Sequence, residues 1–165
     1  MDGDKETKHV IVDIKNILPI KMVTKDIQQV IEIYKSYWSY RGLYAYSFFK
    51  RVIEQNLSYA YKIEEEIIAF CLVENVPDKR IIEIDLLCVK KEYKGNHLGK
   101  SLLNFCINIC KRLNFNNFGL HVSTTNTAAL GLYSNIGFKI ISKIQDYYND
   151  FNPKDNHAYY MTLTL

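Results

Sequence analysis

The chain has 165 residues, 48% apolar and 24% charged, enough for one globular domain over 1–165 with an ordinary core. A formal net charge of +3 is too small to indicate direct nucleic-acid binding and suits an anionic small ligand equally well. No apolar run is long enough to span a membrane as a helix, and the charged N-terminus shows no signal-peptide core, so an intracellular soluble protein is expected.

A cytoplasmic protein is therefore expected, with the nucleus also open, and residues 1–7 as a flexible N-terminus. Residues 10–14 alternate as a first strand should. Ile27, Val30, Ile31 and Tyr34 recur at helical spacing over 26–35. A tyrosine-dense tract at 37–46 precedes a short helix at 47–55. Strands are expected at 59–63 and 67–74, joined as a hairpin through Glu64, Glu65 and Glu66. Pro77 and Asp78 break the pattern before a long strand at 80–89. The next helix carries a stripe of Leu98, Leu102, Cys106, Ile109 and Leu113, and ends on Lys111 and Arg112, where cations suit the dipole. A strand at 118–123, a helix at 128–135 and strands at 138–144 and 158–164 complete the order. A mixed sheet with helices on both faces is the natural packing.

The four cysteines, Cys71, Cys88, Cys106 and Cys110, all sit in apolar runs and form no CxxC pair. They read as small buried hydrophobes in a reducing compartment, and no Cys/His spacing suggests a metal.

Residues 95–101, Gly-Asn-His-Leu-Gly-Lys-Ser, read almost as a P-loop, but that motif needs four residues between its glycines and this turn has three. A P-loop also normally follows the first strand of its domain, whereas this turn follows the fourth. A strand, a short turn and a helix N-terminus still make an anion site, because orphan N–H groups and the positive end of the dipole face the ligand. Gly95 and Gly99 permit close approach, and Lys90, Lys91, Lys94 and Lys100 supply charge. On these residues alone, a loop of solvated lysines is the competing reading.

Residues 92–99 resemble the (Gln/Arg)-x-x-Gly-x-(Gly/Ala) signature of the GNAT superfamily of N-acetyltransferases. Lys94 stands at the Gln/Arg position, His97 where the first glycine is expected, and Gly99 at the last. Residues 126–138 resemble the family's Asn-x-x-Ala-x-x-Leu-Tyr-x-x-x-Gly-Phe through Asn126, Ala129, Leu132, Tyr133, Gly137 and Phe138. Over 80–165 the resemblance is to N-terminal (Nα) protein acetyltransferases, including the San type. It implies an α/β fold, an α+β mixed sheet of about seven strands flanked by about four helices, with acetyl-CoA as cosubstrate and no metal.

In that family the glycine turn cradles the pyrophosphate of acetyl-CoA, which implicates Lys94, Gly95, Asn96, His97, Leu98, Gly99 and Lys100. Asn126 is implied to bond the cofactor arm, although a helix N-cap is its plainer use. Backbone N–H groups of Leu87, Cys88 and Val89 are the implied carbonyl polarisers, where the two central strands splay. Tyr133 matches the tyrosine whose hydroxyl protonates the thioester sulfur.

Glu83 and Asp85 lie two apart on an otherwise apolar strand, so they should face one side. Carboxylates in such a strand are costly unless solvated, paired or used. Glu83 stands where histone-type relatives carry their base, and Asp85 is assigned to the substrate groove. His121 shares a face with Gly119 and Ser123, while Phe118, Leu120 and Val122 point the other way. It matches the San-type catalytic histidine, and an imidazole with a pKa of about 6.5 can take a proton through water. Tyr44, Tyr147 and Tyr148 are the implied substrate contacts.

The implied reaction is direct, base-assisted acetyl transfer to an amine. A protein α-amine is favoured, since a lysine costs roughly 3–4 kcal/mol more to deprotonate. Implied partners are protein or peptide N-termini and auxiliary subunits of a ribosome-associated acetyltransferase complex. Acetylation of lysine or a small amine, and an inactive CoA-binding module, are the alternatives.

Overall fold

Residues 67–73 are buried without interruption, as in a central strand covered on both faces. A computed structural model describes residues 10–38, 46–148 and 156–165 and places this run in β3 (Glu66–Val76). The expectations for residues 1–7 and for Tyr44 lie outside the described residues. The other strands are β1 (Ile20–Lys21), β2 (Tyr59–Ile63), β4 (Ile81–Val89), β5 (Asn117–Ser123), β6 (Lys139–Ile144) and β7 (Ala158–Thr164). They form one sheet in the order β1-β2-β3-β4-β5-β7-β6, antiparallel except at β4–β5.

Helices α1 (Ile27–Tyr37) and α2 (Tyr46–Glu54) cover one face. Ile27, Val30, Phe49 and Val52 pack there on Ile67, Phe70 and Leu72. Helices α3 (Leu98–Arg112) and α4 (Thr127–Ile136) lie on the other face. Leu102, Cys106 and Cys110 pack there with Ile68, Cys71, Ile82, Phe118 and Leu120. The four cysteines are buried thiols.

Residues 10–14 do not form the expected strand. Asp13 accepts hydrogen bonds from the Lys15 N–H and from Asn16 Nδ2, which curls the chain into a 3-10 turn at Ile14–Asn16. The stretch before that turn docks beside residues 92–96, and the first strand comes later, at β1. Residues 10–12 are an apolar run, but among the described residues no strand of the sheet pairs with it.

Candidate active site

The parallel strands β4 and β5 pair at Ile82↔Phe118 and Glu83↔Gly119. Beyond this β4 continues to Val89 and β5 to Ser123, so the two strands part in the middle of the sheet. A bulge marks the place. Leu72 pairs with Leu86 and Val73 with Ile84, leaving Asp85 as the extra residue. Ile82 and Ile84 join the α3 core before the bulge and Leu87 and Val89 after it, so Glu83 and Asp85 share the side opposite that core, as expected, and alternation breaks only beyond Asp85.

Glu83 is 8% exposed. His121 Nδ1 lies 3.8 Å from Glu83 Oε2, and Lys79 Nζ lies 3.7 Å from Oε1. The lysine contact is an ion-pair separation, and both distances are too long for hydrogen bonds. Glu83 Oε1 and Asp85 Oδ2 are buried with no hydrogen-bond partner among the described residues. Buried carboxylate oxygens are normally bonded, so this pair has acceptors to offer a water or an amine. Burial and the Glu83 charge push Asp85 up to about 7, against the pull of Arg51. Burial also lowers the His121 imidazole, outweighing Glu83, and Lys79 adds to the fall. His121 is thus a neutral base at neutral pH.

Aromatic rings enclose it. Tyr147 stacks on His121 with centroids 4.4 Å apart and planes 9° apart, Tyr160 leans in at 4.9 Å, and Tyr148 stands edge-on to Tyr147. Gly119 makes the room, since a Cβ there would meet the Tyr160 hydroxyl at 2.6 Å.

In the glycine turn, Gly95 (φ +84°) and His97 (φ +57°) are left-handed, and His97 is the N-cap of α3. Histidine is among the side chains enriched in that region. A Cβ on Gly99 would lie 3.6 Å from Val89 Cγ2 and 3.9 Å from Leu87 Cδ2, ordinary contacts. The protein itself does not require glycine there. Lys94 and Lys91 hold their ammonium groups 4.8 and 5.6 Å from the Tyr37 ring centroid, and the Tyr37 hydroxyl donates to the Val89 carbonyl at 2.6 Å. Lys90 pairs with Glu66, while Lys100 is exposed on the first turn of α3. The Asn96 side chain is bonded within the protein, so its backbone is what it can offer a cofactor.

Asn126 accepts the Ala129 N–H at 3.1 Å and caps α4. Tyr133 on that helix is buried, with its ring edge-on to Phe138. Burial raises its hydroxyl well above the usual phenol range, with Cys71, Cys88 and Tyr148 adding, so it stays protonated. Among the described residues no cluster of His, Cys, Asp or Glu could hold a metal ion.

Residues 27–138 match the acetyltransferase (GNAT) family. The chain belongs to that family. N-alpha-acetyltransferase 50 of Danio rerio is 32% identical over 89 residues, 53% of this chain, and the match spans 53% of that protein's length. Arabidopsis thaliana Naa50, solved in complex with the bisubstrate analogue CoA-Ac-MVNAL, superposes with a TM-score of 0.76 at 22% identity over 90% of this chain and 99% of that one. The ribosomal-protein-S18-alanine N-acetyltransferase from Escherichia coli gives 0.74 at 19% identity, over 90% and 93%. These two are likenesses of fold.

Within this candidate site stand three side chains that sequence reading did not select. Lys79 reaches Glu83 from the 3-10 turn Pro77–Lys79, a connection that no periodicity announces. Tyr160 faces His121 through the β5–β7 register, for which the small residue Gly119 was the available signal. Tyr37 looked like one tyrosine of a rich tract.

Proposed function

We propose that this GNAT protein transfers the acetyl group of acetyl-CoA to the α-amino group of protein or peptide N-termini. The observation that carries the reading is the neutral His121 beside buried Glu83, which like its half-buried neighbour Asp85 keeps one buried oxygen unbonded, with Tyr147 and Tyr160 roofing the imidazole.

The residues present fit the cosubstrate, because Gly99 is small where its own neighbours do not demand it. Acetyl-CoA supplies an acyl carbonyl activated as a thioester, so that a carbon–nitrogen bond forms as the carbon–sulfur bond breaks. The first N–H groups of α3 have no helical partners and hold phosphate oxygens, with Lys94 and Lys100 adding charge. The N–H groups at Leu87 to Val89, where β4 has left β5, polarise a carbonyl oxygen. His121 and Glu83 orient a water that removes the proton from the amine. Asp85, poised near neutrality, holds the ammonium form that arrives. Tyr133, kept protonated, donates to the leaving sulfur.

An α-amine suits so modest a base, because a useful fraction is already neutral at pH 7. The names of the relatives, acetyltransferases of protein N-termini, support the same choice. Peptides with a free α-amine should be acetylated far faster than the same peptides blocked at the N-terminus and carrying an internal lysine, read by mass spectrometry. Equal rates would move the protein to the lysine acetylases.

A further inference from the structure

The glycine turn has a fastening that its family signature does not require. Its N-cap, His97, makes no side-chain capping bond, and it stands in left-handed backbone next to left-handed Gly95. A non-glycine residue there must be held by its surroundings. The holder is the residue between them. Asn96 Oδ1 accepts the Val12 N–H at 2.9 Å, and Asn96 Nδ2 donates to the Val10 carbonyl at 2.7 Å and to the Tyr93 carbonyl at 3.0 Å. One primary amide thus meets both an N–H and a C=O of the N-terminal segment, as a strand neighbour would, and its two donors and its acceptor are all engaged. A third bond between the two segments has the Val10 N–H donating to the Glu92 carbonyl at 2.7 Å. Val12 also packs against the core beneath α3.

We propose that Asn96 is a positioning residue for acetyl-CoA, latching residues 10–12 across the turn so that the turn is preformed for the pyrophosphate. The inference rests on the turn being the pyrophosphate cradle. Its consequence is a coupling: whatever engages the N-terminal segment alters acetyl-CoA affinity, and acetyl-CoA in return tightens that segment, since linkage is reciprocal.

The test is steady-state kinetics on the full chain. Asn96→Ala, and Val12→Pro, which removes the N–H donor from the other side, should each raise KM for acetyl-CoA about tenfold. Both should leave kcat and the peptide KM within about twofold, a split that general loosening of the fold would not give. The double variant should be no worse than the poorer single one, because both break one latch. An unchanged acetyl-CoA KM in Asn96→Ala, or single effects that multiply, would overturn the proposal. Gly99→Ala separates the two levels: if it weakens acetyl-CoA while Asn96→Ala is silent, the cradle stands and the latch falls, and if both are silent the cradle itself is misplaced. Should a variant not fold, amide exchange on the unmodified protein decides, since acetyl-CoA must slow exchange at Val12, and indifference there refutes the coupling.

Discussion

The glycine turn and the carboxylate–histidine cluster adjoin along one stretch of chain, residues 83–100, yet they are built differently. The turn is a backbone device made of two left-handed residues and a helix N-terminus, almost all of it local in sequence. The cluster is a side-chain device. Lys79, Glu83, Asp85, His121, Tyr147 and Tyr160 reach it from three strands and two connections. A backbone site should tolerate changes of side chain so long as its shape survives. A cluster whose members set one another's protonation should not.

The hardest blow to that contrast would come from the cluster. His121→Ala and Glu83→Gln should each lower kcat roughly 10–10⁴-fold, the range for loss of a general base, with acetyl-CoA binding little changed. The double variant should cost less than the product of the singles, because the two act as one relay. Near-normal kcat in both would mean that the amine arrives neutral and that the cluster is not catalytic.

The turn should respond more gently and in affinity. Gly99→Ala should weaken acetyl-CoA about tenfold, some 1.4 kcal/mol, by titration calorimetry. Its unliganded melting temperature should hold or rise, since alanine favours a helix and the added Cβ makes ordinary contacts. His97→Gly should stay within about tenfold of the original affinity, because glycine takes the left-handed backbone freely. A total loss of binding in His97→Gly would show that the imidazole, not the backbone, holds the phosphate.

The last effect is on stability alone. Folding raises Asp85 to about 7, above its ordinary carboxylate value, so the folded protein holds a proton there that the unfolded chain has released. Stability is therefore lost as pH climbs from about 4 to about 7. Asp85→Asn removes that loss. It should melt a few degrees higher at pH 8, on the order of 1–2 kcal/mol after allowance for the water a half-buried group still meets, and no higher at pH 4. A difference of the same size at both pH values would show that burial does not hold the proton on Asp85.

Much of the fold was legible because strands and helices announce themselves within a few residues. The runs 59–63 and 158–164 coincide with β2 and β7, and the stripe from Leu98 to Ile109 lies along α3, although its expected last member, Leu113, is exposed just past the helix. The face of His121 was equally plain, since Phe118, Leu120 and Val122 are all in the core behind it. Residues 10–14 misled because a short run of β-branched residues suits a strand but does not state which partner covers it, and Asp13 turns the chain instead.

What the sequence determined by itself is what depends on local backbone geometry: the glycine turn, the α4 cap at Asn126 and the order of elements. The tertiary structure decided the rest. The bulge at Asp85 depends on how β3 and β4 share their hydrogen bonds, and the approach of Tyr160 to His121 on the register between β5 and β7. The Asn96 latch depends on where a distant N-terminal segment comes to lie. Each is settled by pairing energies between stretches far apart in the chain. A local pattern contains no information about those energies, and for that reason the protonation of the site could be read only once the chain had folded around it.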